Sequence, residues 1–213
     1  MKSLVLLAML LVILFTASVS AQSGEIGLSL RVFYLAAFCF AGYLLFTARS
    51  WVIAYLAIAL PALALGLLKE AWPEVGFLIF AASLSVAALK AMLFVAVIRF
   101  SLYQRGVRKA DRIVAGICGY LLLGFFWSDF YAVTMPAFAN GFQTVDGLRS
   151  LSNSSETLYF SFVTLTTLGY GDISPAHPTL RLLAVFEAIC GTLYLAIFIS
   201  SLVARQGPDH GSS

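Results

Sequence analysis

Thr166-Thr167-Leu168-Gly169-Tyr170-Gly171-Asp172 decides how the rest of this chain is read. A cation leaving water must exchange its hydration shell for fixed oxygens. Backbone carbonyls supply them only where successive peptide groups turn their oxygens to one open side, which neither a regular helix, whose carbonyls are bonded along its axis, nor a regular strand, whose carbonyls alternate, allows. Gly169 and Gly171 take positive φ without steric cost, so the carbonyls of Thr167, Leu168, Gly169 and Tyr170 can form a ladder along a narrow path. The Thr167 hydroxyl adds a lowest ring of oxygens. An amphipathic run, 156–167, precedes the stretch and a long apolar run, 179–204, follows it. A Gly-Tyr-Gly turn in a soluble loop has no reason to sit in that setting.

The wider composition fits. Of 213 residues, 61% are hydrophobic and 11% charged, against roughly 45–50% and 25% in soluble domains. This is the composition of an integral membrane protein. Cys39, Cys118 and Cys190 all lie in apolar runs without metal-ligand spacing, so they read as packing residues. No stretch suggests nucleic acid binding. His177 and His210 are far apart and no nucleophile, base or metal cluster assembles around them, so an enzyme is not indicated.

Residues 1–21 have a positive start, an apolar core and Val19-Ser20-Ala21 at the end. This suits either a signal peptide or a short first transmembrane helix. Apolar spans follow at 28–47, 51–68, 75–98, 113–133 and 179–204, each long enough to cross a bilayer. Residues 22–109 read as peripheral transmembrane helices, 110–205 as a pore module and 206–213 as a short cytoplasmic tail. The segment 136–152, rich in Gly, Asn, Ser and Thr, reads as an exposed turret. The expectation is an all-α membrane protein with five or six transmembrane helices plus a re-entrant helix and filter loop.

At 166–172, and from about Arg112 to Arg205, the chain resembles the prokaryotic-type pore module of potassium channels, with Leu168 where Val is usual. That resemblance implies a tetrameric channel passing K⁺ through the filter carbonyls of Thr167, Leu168, Gly169, Tyr170 and Gly171, with K⁺ as the permeant ion and no other metal or cofactor. One chain supplies one filter strand, so three identical subunits and membrane lipid are the expected partners. The resemblance further implies that Asp172 is braced by Tyr159, that Gly191 is a gating hinge or a close-packing position, and that Thr192, Leu195 and Ile199 line the cavity below. Polar braces of some relatives are missing, since Val163 and Phe160 stand where those carry Glu and Trp.

An outward-facing filter places Arg99, Arg105, Arg108, Lys109 and Arg112 inside, with Lys2, Arg49 and Arg205, as the positive-inside rule requires. Glu25, Glu70, Glu74, Asp129, Asp146, Glu156 and Asp172 then lie outside, at an acidic mouth in a cell membrane, the inner one if the source is bacterial. Asn153 and Glu156 have the spacing of a capping box at the start of the pore helix. Two charges are out of place in apolar spans. Glu187, four residues before Gly191, is expected to hydrogen-bond to the pore helix; Lys90 has no expected partner. With only Lys90 and Arg99 in its span, an arginine-repeat voltage sensor is not expected. Two alternatives to a K⁺-selective channel stand beside it: a non-conducting scaffold or regulatory subunit with a pore-like module, and a weakly selective cation channel.

Overall fold

A computed structural model describes residues 2–20, 49–72, 75–103, 108–134, 137–138, 140–151 and 154–204. The expected span 28–47 lies outside them, as do Cys39, Arg105, Asn153, Arg205 and His210. In chain order the elements are α1 (Lys2–Ser20), α2 (Arg49–Ala71), α3 (Gly76–Tyr103), α4 (Lys109–Thr134), β1 (Phe142–Thr144), β2 (Gly147–Arg149), α5 (Ser154–Leu165), β3 (Ser174–Pro175) and α6 (Pro178–Ala204). The protein is thus all-α in class, with one small sheet added. Among the described residues, three helices are long and apolar enough to cross a membrane, over Gly76–Ser101, Lys109–Thr134 and Pro178–Val203; α1 and α2 contribute shorter apolar stretches, Leu4–Leu14 and Ile53–Leu68.

α4 is the hub. It packs against α3, the pore helix α5, α1 and α6. One apolar cluster joins Leu6 and Leu10 of α1, Tyr55 of α2, Leu93 of α3, and Leu122 and Phe125 of α4. Glycines let neighbours approach α4 closely. A Cβ on Gly116 would collide with the Phe198 ring and one on Gly124 with the Phe162 ring. Small residues serve this purpose where helices pack in membranes, because apolar burial gives little drive there.

The structure corrects two expectations in this bundle. Asp129 is not a residue of the outer mouth: its carboxylate lies 2.7 Å from the Lys90 ammonium, with both side chains largely buried. Lys90 therefore has an acid partner on the next helix, and it also sits over the Phe125 ring, 5.5 Å from the centroid. A charge in an apolar span persists when a counter-charge and a ring face replace its water.

The second correction concerns the turret. Part of it folds into a three-stranded antiparallel sheet, ordered β2-β1-β3, with Phe142 opposite both Arg149 and Pro175. Phe142 is fully buried and packs edge to face on Tyr131 and Phe160, at centroid distances of 6.3 and 5.0 Å. That aromatic anchor is why the segment is not a free loop. The hairpin also engages Glu156, whose carboxylate Arg149 grips through two bonds of 2.8 and 2.9 Å; the capping box expected between Asn153 and Glu156 falls on Asn153, outside the described residues.

Candidate functional site: a carbonyl strand at the end of the pore helix

α5 is amphipathic enough to bury Phe160, Ser161, Val163 and Leu165, and it stops where the backbone turns left-handed. Thr167, Gly169 and Gly171 have φ of 57°, 58° and 80°. Left-handed residues at every second position turn alternate peptide planes over, which brings successive carbonyls to one side. Glycine at 169 and 171 makes this conformation free of Cβ conflict. Thr167 adopts it with a Cβ, at a conformational cost of order 1–3 kcal/mol. The sequence pointed to the two glycines and missed Thr167.

The start of the strand is tied back to the helix it leaves. The Thr166 N–H donates to the Phe162 carbonyl at 3.1 Å and the Thr167 N–H to Thr164 at 2.9 Å. Those of Leu168 and Gly169 both reach Val163, at 2.9 and 3.3 Å. The Thr166 hydroxyl adds a bond of 2.6 Å to Phe162. The side chains of Leu168 and Tyr170 are open, at 55% and 67% exposure, so the strand is held by its backbone rather than buried by its side chains. The strand leaves from the C-terminus of α5, which carries a partial negative charge.

Behind the strand, the Tyr159 hydroxyl donates to the Asp172 carboxylate at 2.6 Å. The other carboxylate oxygen accepts the Ile173 N–H at 3.0 Å. The hydrogen bond to Asp172, followed by a small burial effect, pushes the Tyr159 phenol up to about 12, so it stays a donor across the ordinary pH range. Tyr159→Phe removes this tie between α5 and the far end of the strand. Discounted for an exposed pair, the bond is worth about 1 kcal/mol, so open dwell times in single-channel recordings should shorten roughly fivefold. Unaltered dwell times and selectivity would leave Asp172 braced by something else. Phe160, where some relatives carry a polar brace, packs edge to face on Tyr131 at 5.0 Å. Val163 contributes its carbonyl rather than its side chain.

Glu187 of α6 is completely buried. Its two oxygens accept from Ser161 of the pore helix at 2.6 Å and from Tyr131 of α4 at 2.8 Å. Among the described residues no cation comes within ion-pair distance of it. It therefore ties three helices together and faces away from the exposed side of α6. Ser161 also lies 2.8 Å from the Gly124 carbonyl. Beside this group Ser128 meets Thr157 at 3.2 Å, again joining α4 to α5. No local pattern singles out Tyr131 or Ser161 as the partners.

Gly191 lies directly under the end of the pore helix, where a Cβ would be 2.3 Å from the Leu165 carbonyl oxygen. Close approach thus accounts for the glycine by itself. Thr192, Leu195 and Ile199 are exposed on the side of α6 that α4 and α5 leave free. The Thr192 hydroxyl is spent within its own helix, 3.0 Å from the Ala188 and Ile189 carbonyls. α6 itself begins with His177 as its cap: Nδ1 accepts the Thr179 N–H at 3.2 Å, and Pro178 occupies the first helical position. Among the described residues no group of three or more His, Cys, Asp or Glu side chains could hold a metal ion.

Residues 113–205 match the family model described as ion channel. Two pore potassium channel a of Oryza sativa subsp. japonica is 32% identical over 83 residues, 39% of this chain and 24% of that protein. Two pore potassium channel b of the same species is 33% identical over 111 residues, 50% of this chain and 29% of its own. The inward rectifier potassium channel Kirbac3.1 of Paramagnetospirillum magnetotacticum is 33% identical over 79 residues, 35% and 26% respectively. The matched region thus spans about a quarter of the length of these relatives. No solved structure matches the chain.

Proposed function

We propose, from the premise that residues 113–205 are an ion-channel module of the potassium channel family, that this chain is the subunit of a K⁺-selective channel. Four copies would close a central pore through which K⁺ passes passively across the cell membrane, with the filter facing outward. The observation that carries this reading is the alternation of left-handed backbone at Thr167, Gly169 and Gly171 within Thr-Leu-Gly-Tyr-Gly. A ladder of carbonyls on one side of a strand needs left-handed backbone at alternate residues, and these three supply it. A polar backbone of this kind is tolerated at membrane depth where it lines water or is packed in protein, which a ring of four strands supplies.

The reading includes an absence of arginine-repeat voltage sensing. α3 carries Lys90 and Arg99 as its basic residues, and Lys90 is held by Asp129. A sensor needs several charges that move through the field.

Reconstitution of the purified protein in liposomes, with K⁺ and Na⁺ flux measured side by side, is the test. K⁺ flux well above Na⁺ flux is the expected result. Equal fluxes would replace selectivity with a general cation pore, and no flux in either ion would make the chain a scaffold.

A further inference from the structure

The last turn of the pore helix has an unusual distribution of hydrogen bonds. The four N–H groups that follow Leu165 are all committed upstream: Thr166 to Phe162, Thr167 to Thr164, and both Leu168 and Gly169 to Val163. None of them goes to the Leu165 carbonyl. A helix-end carbonyl left in this way must find a side chain, water or a ligand. Here it receives the phenol of Tyr120, reaching across from α4 at 3.1 Å.

Two further contacts limit where that carbonyl can sit. On its other side is Gly191, where a Cβ would lie 2.3 Å from the oxygen. The Tyr120 ring is in turn set by Tyr194, with centroids 5.8 Å apart. Tyr194 is itself fixed by a 2.7 Å bond from its hydroxyl to the Gly116 carbonyl. The Leu165 peptide is therefore gripped by α4 on one side and α6 on the other. Two residues later the chain enters the left-handed conformation of Thr167.

We propose that Tyr120 is a positioning residue of the selectivity filter: its hydrogen bond fixes the rotation of the Leu165 peptide plane, and so sets where the Thr167 hydroxyl and carbonyl meet the ion. This rests on the reading of 167–171 as the filter. Tyr120 does not touch the ion path; it acts through Leu165. Discrimination between K⁺ and Na⁺ depends on the spacing and stiffness of the ring of oxygens, and a peptide free to rotate at the base of the strand loosens the lowest ring first.

The test is Tyr120→Phe in the full chain, which keeps the ring against Tyr194 and removes the donor. In liposomes the K⁺ to Na⁺ permeability ratio should fall roughly fivefold, as expected for loss of one such bond, with the amount of assembled oligomer unchanged. Ser101→Ala is the matched control. It removes another side-chain-to-carbonyl bond between helices, from the Ser101 hydroxyl of α3 to the Arg112 carbonyl of α4 at 3.2 Å, at the end of α4 opposite the filter, and should leave the ratio alone. An unchanged ratio in Tyr120→Phe overturns the proposal, and so does an equal fall in Ser101→Ala. Should Tyr120→Phe fail to assemble alone, oligomers in which it is diluted with wild-type subunits carry the same test. A ratio that falls with the variant fraction supports the assignment, and a constant ratio overturns it. Wild-type protein that fails to select K⁺ would sink the filter reading itself, whereas selective wild type with an equally selective variant sinks only the role of Tyr120.

Discussion

Gly191→Ala should abolish conduction by preventing stable assembly of the pore module, and it should do so although alanine favours the α6 helix by about 1 kcal/mol. The added methyl would lie 2.3 Å from the Leu165 oxygen and 3.2 Å from its carbonyl carbon. These are backbone atoms, unable to swing aside as a side chain does. Relief requires the end of the pore helix to move away from α6, which breaks the Tyr120 bond and displaces the start of the filter strand. Overpacking of this kind costs typically 1–3 kcal/mol or more, which outweighs the gain in propensity. Thermal melting of the extracted oligomer, measured beside flux, separates the two meanings of this glycine. A hinge predicts a variant that melts like the parent but gates differently; the close contact predicts a lower melting temperature and loss of flux together.

Lys90→Met should be nearly as damaging, for a different reason. It leaves Asp129 in a largely buried place without its counter-charge. Removing one partner of a buried pair costs about 3–5 kcal/mol, a large part of the roughly 5–15 kcal/mol that stabilises most domains. The double variant Lys90→Met, Asp129→Leu should regain most of that loss, because two apolar side chains of similar volume replace the pair without an uncompensated charge. Recovery of folded protein from membranes and its melting temperature are the measurements. A single variant as stable as the parent would mean that Asp129 finds water instead.

What could be read without coordinates was the chemistry that sits in consecutive residues. Thr-Leu-Gly-Tyr-Gly-Asp carries its own conformational requirement in its two glycines, and Tyr159 with Asp172 belong to the same short helix and turn. Burial of Glu187 against the pore helix followed from the cost of a carboxyl in an apolar span. Its partners Tyr131 and Ser161 did not, because they lie on separate helices whose register no local pattern encodes. The same reason hid Asp129 from Lys90: α4 reads as apolar to its outer end, and an acid near a helix end looks solvated until the neighbouring helix is placed. Thr167 was missed because a residue with a Cβ announces nothing about positive φ. Arg149 does not stand out within a segment whose polarity masks the buried anchor Phe142 that folds it into a sheet.

The Lys90 and Asp129 pair also bears on how the chain enters the bilayer. The α3 span has a mean hydropathy of 2.2 over Gly76–Ser101, yet a lysine near its middle opposes insertion by about 2.5–3.5 kcal/mol. Asp129 arrives only with α4, after α3 has left the ribosome. Partitioning α3 into lipid alone therefore means carrying an unmatched ammonium into the hydrocarbon, whereas waiting for α4 delivers both charges already neutralised. The pair therefore favours insertion of α3 and α4 together over insertion of α3 alone.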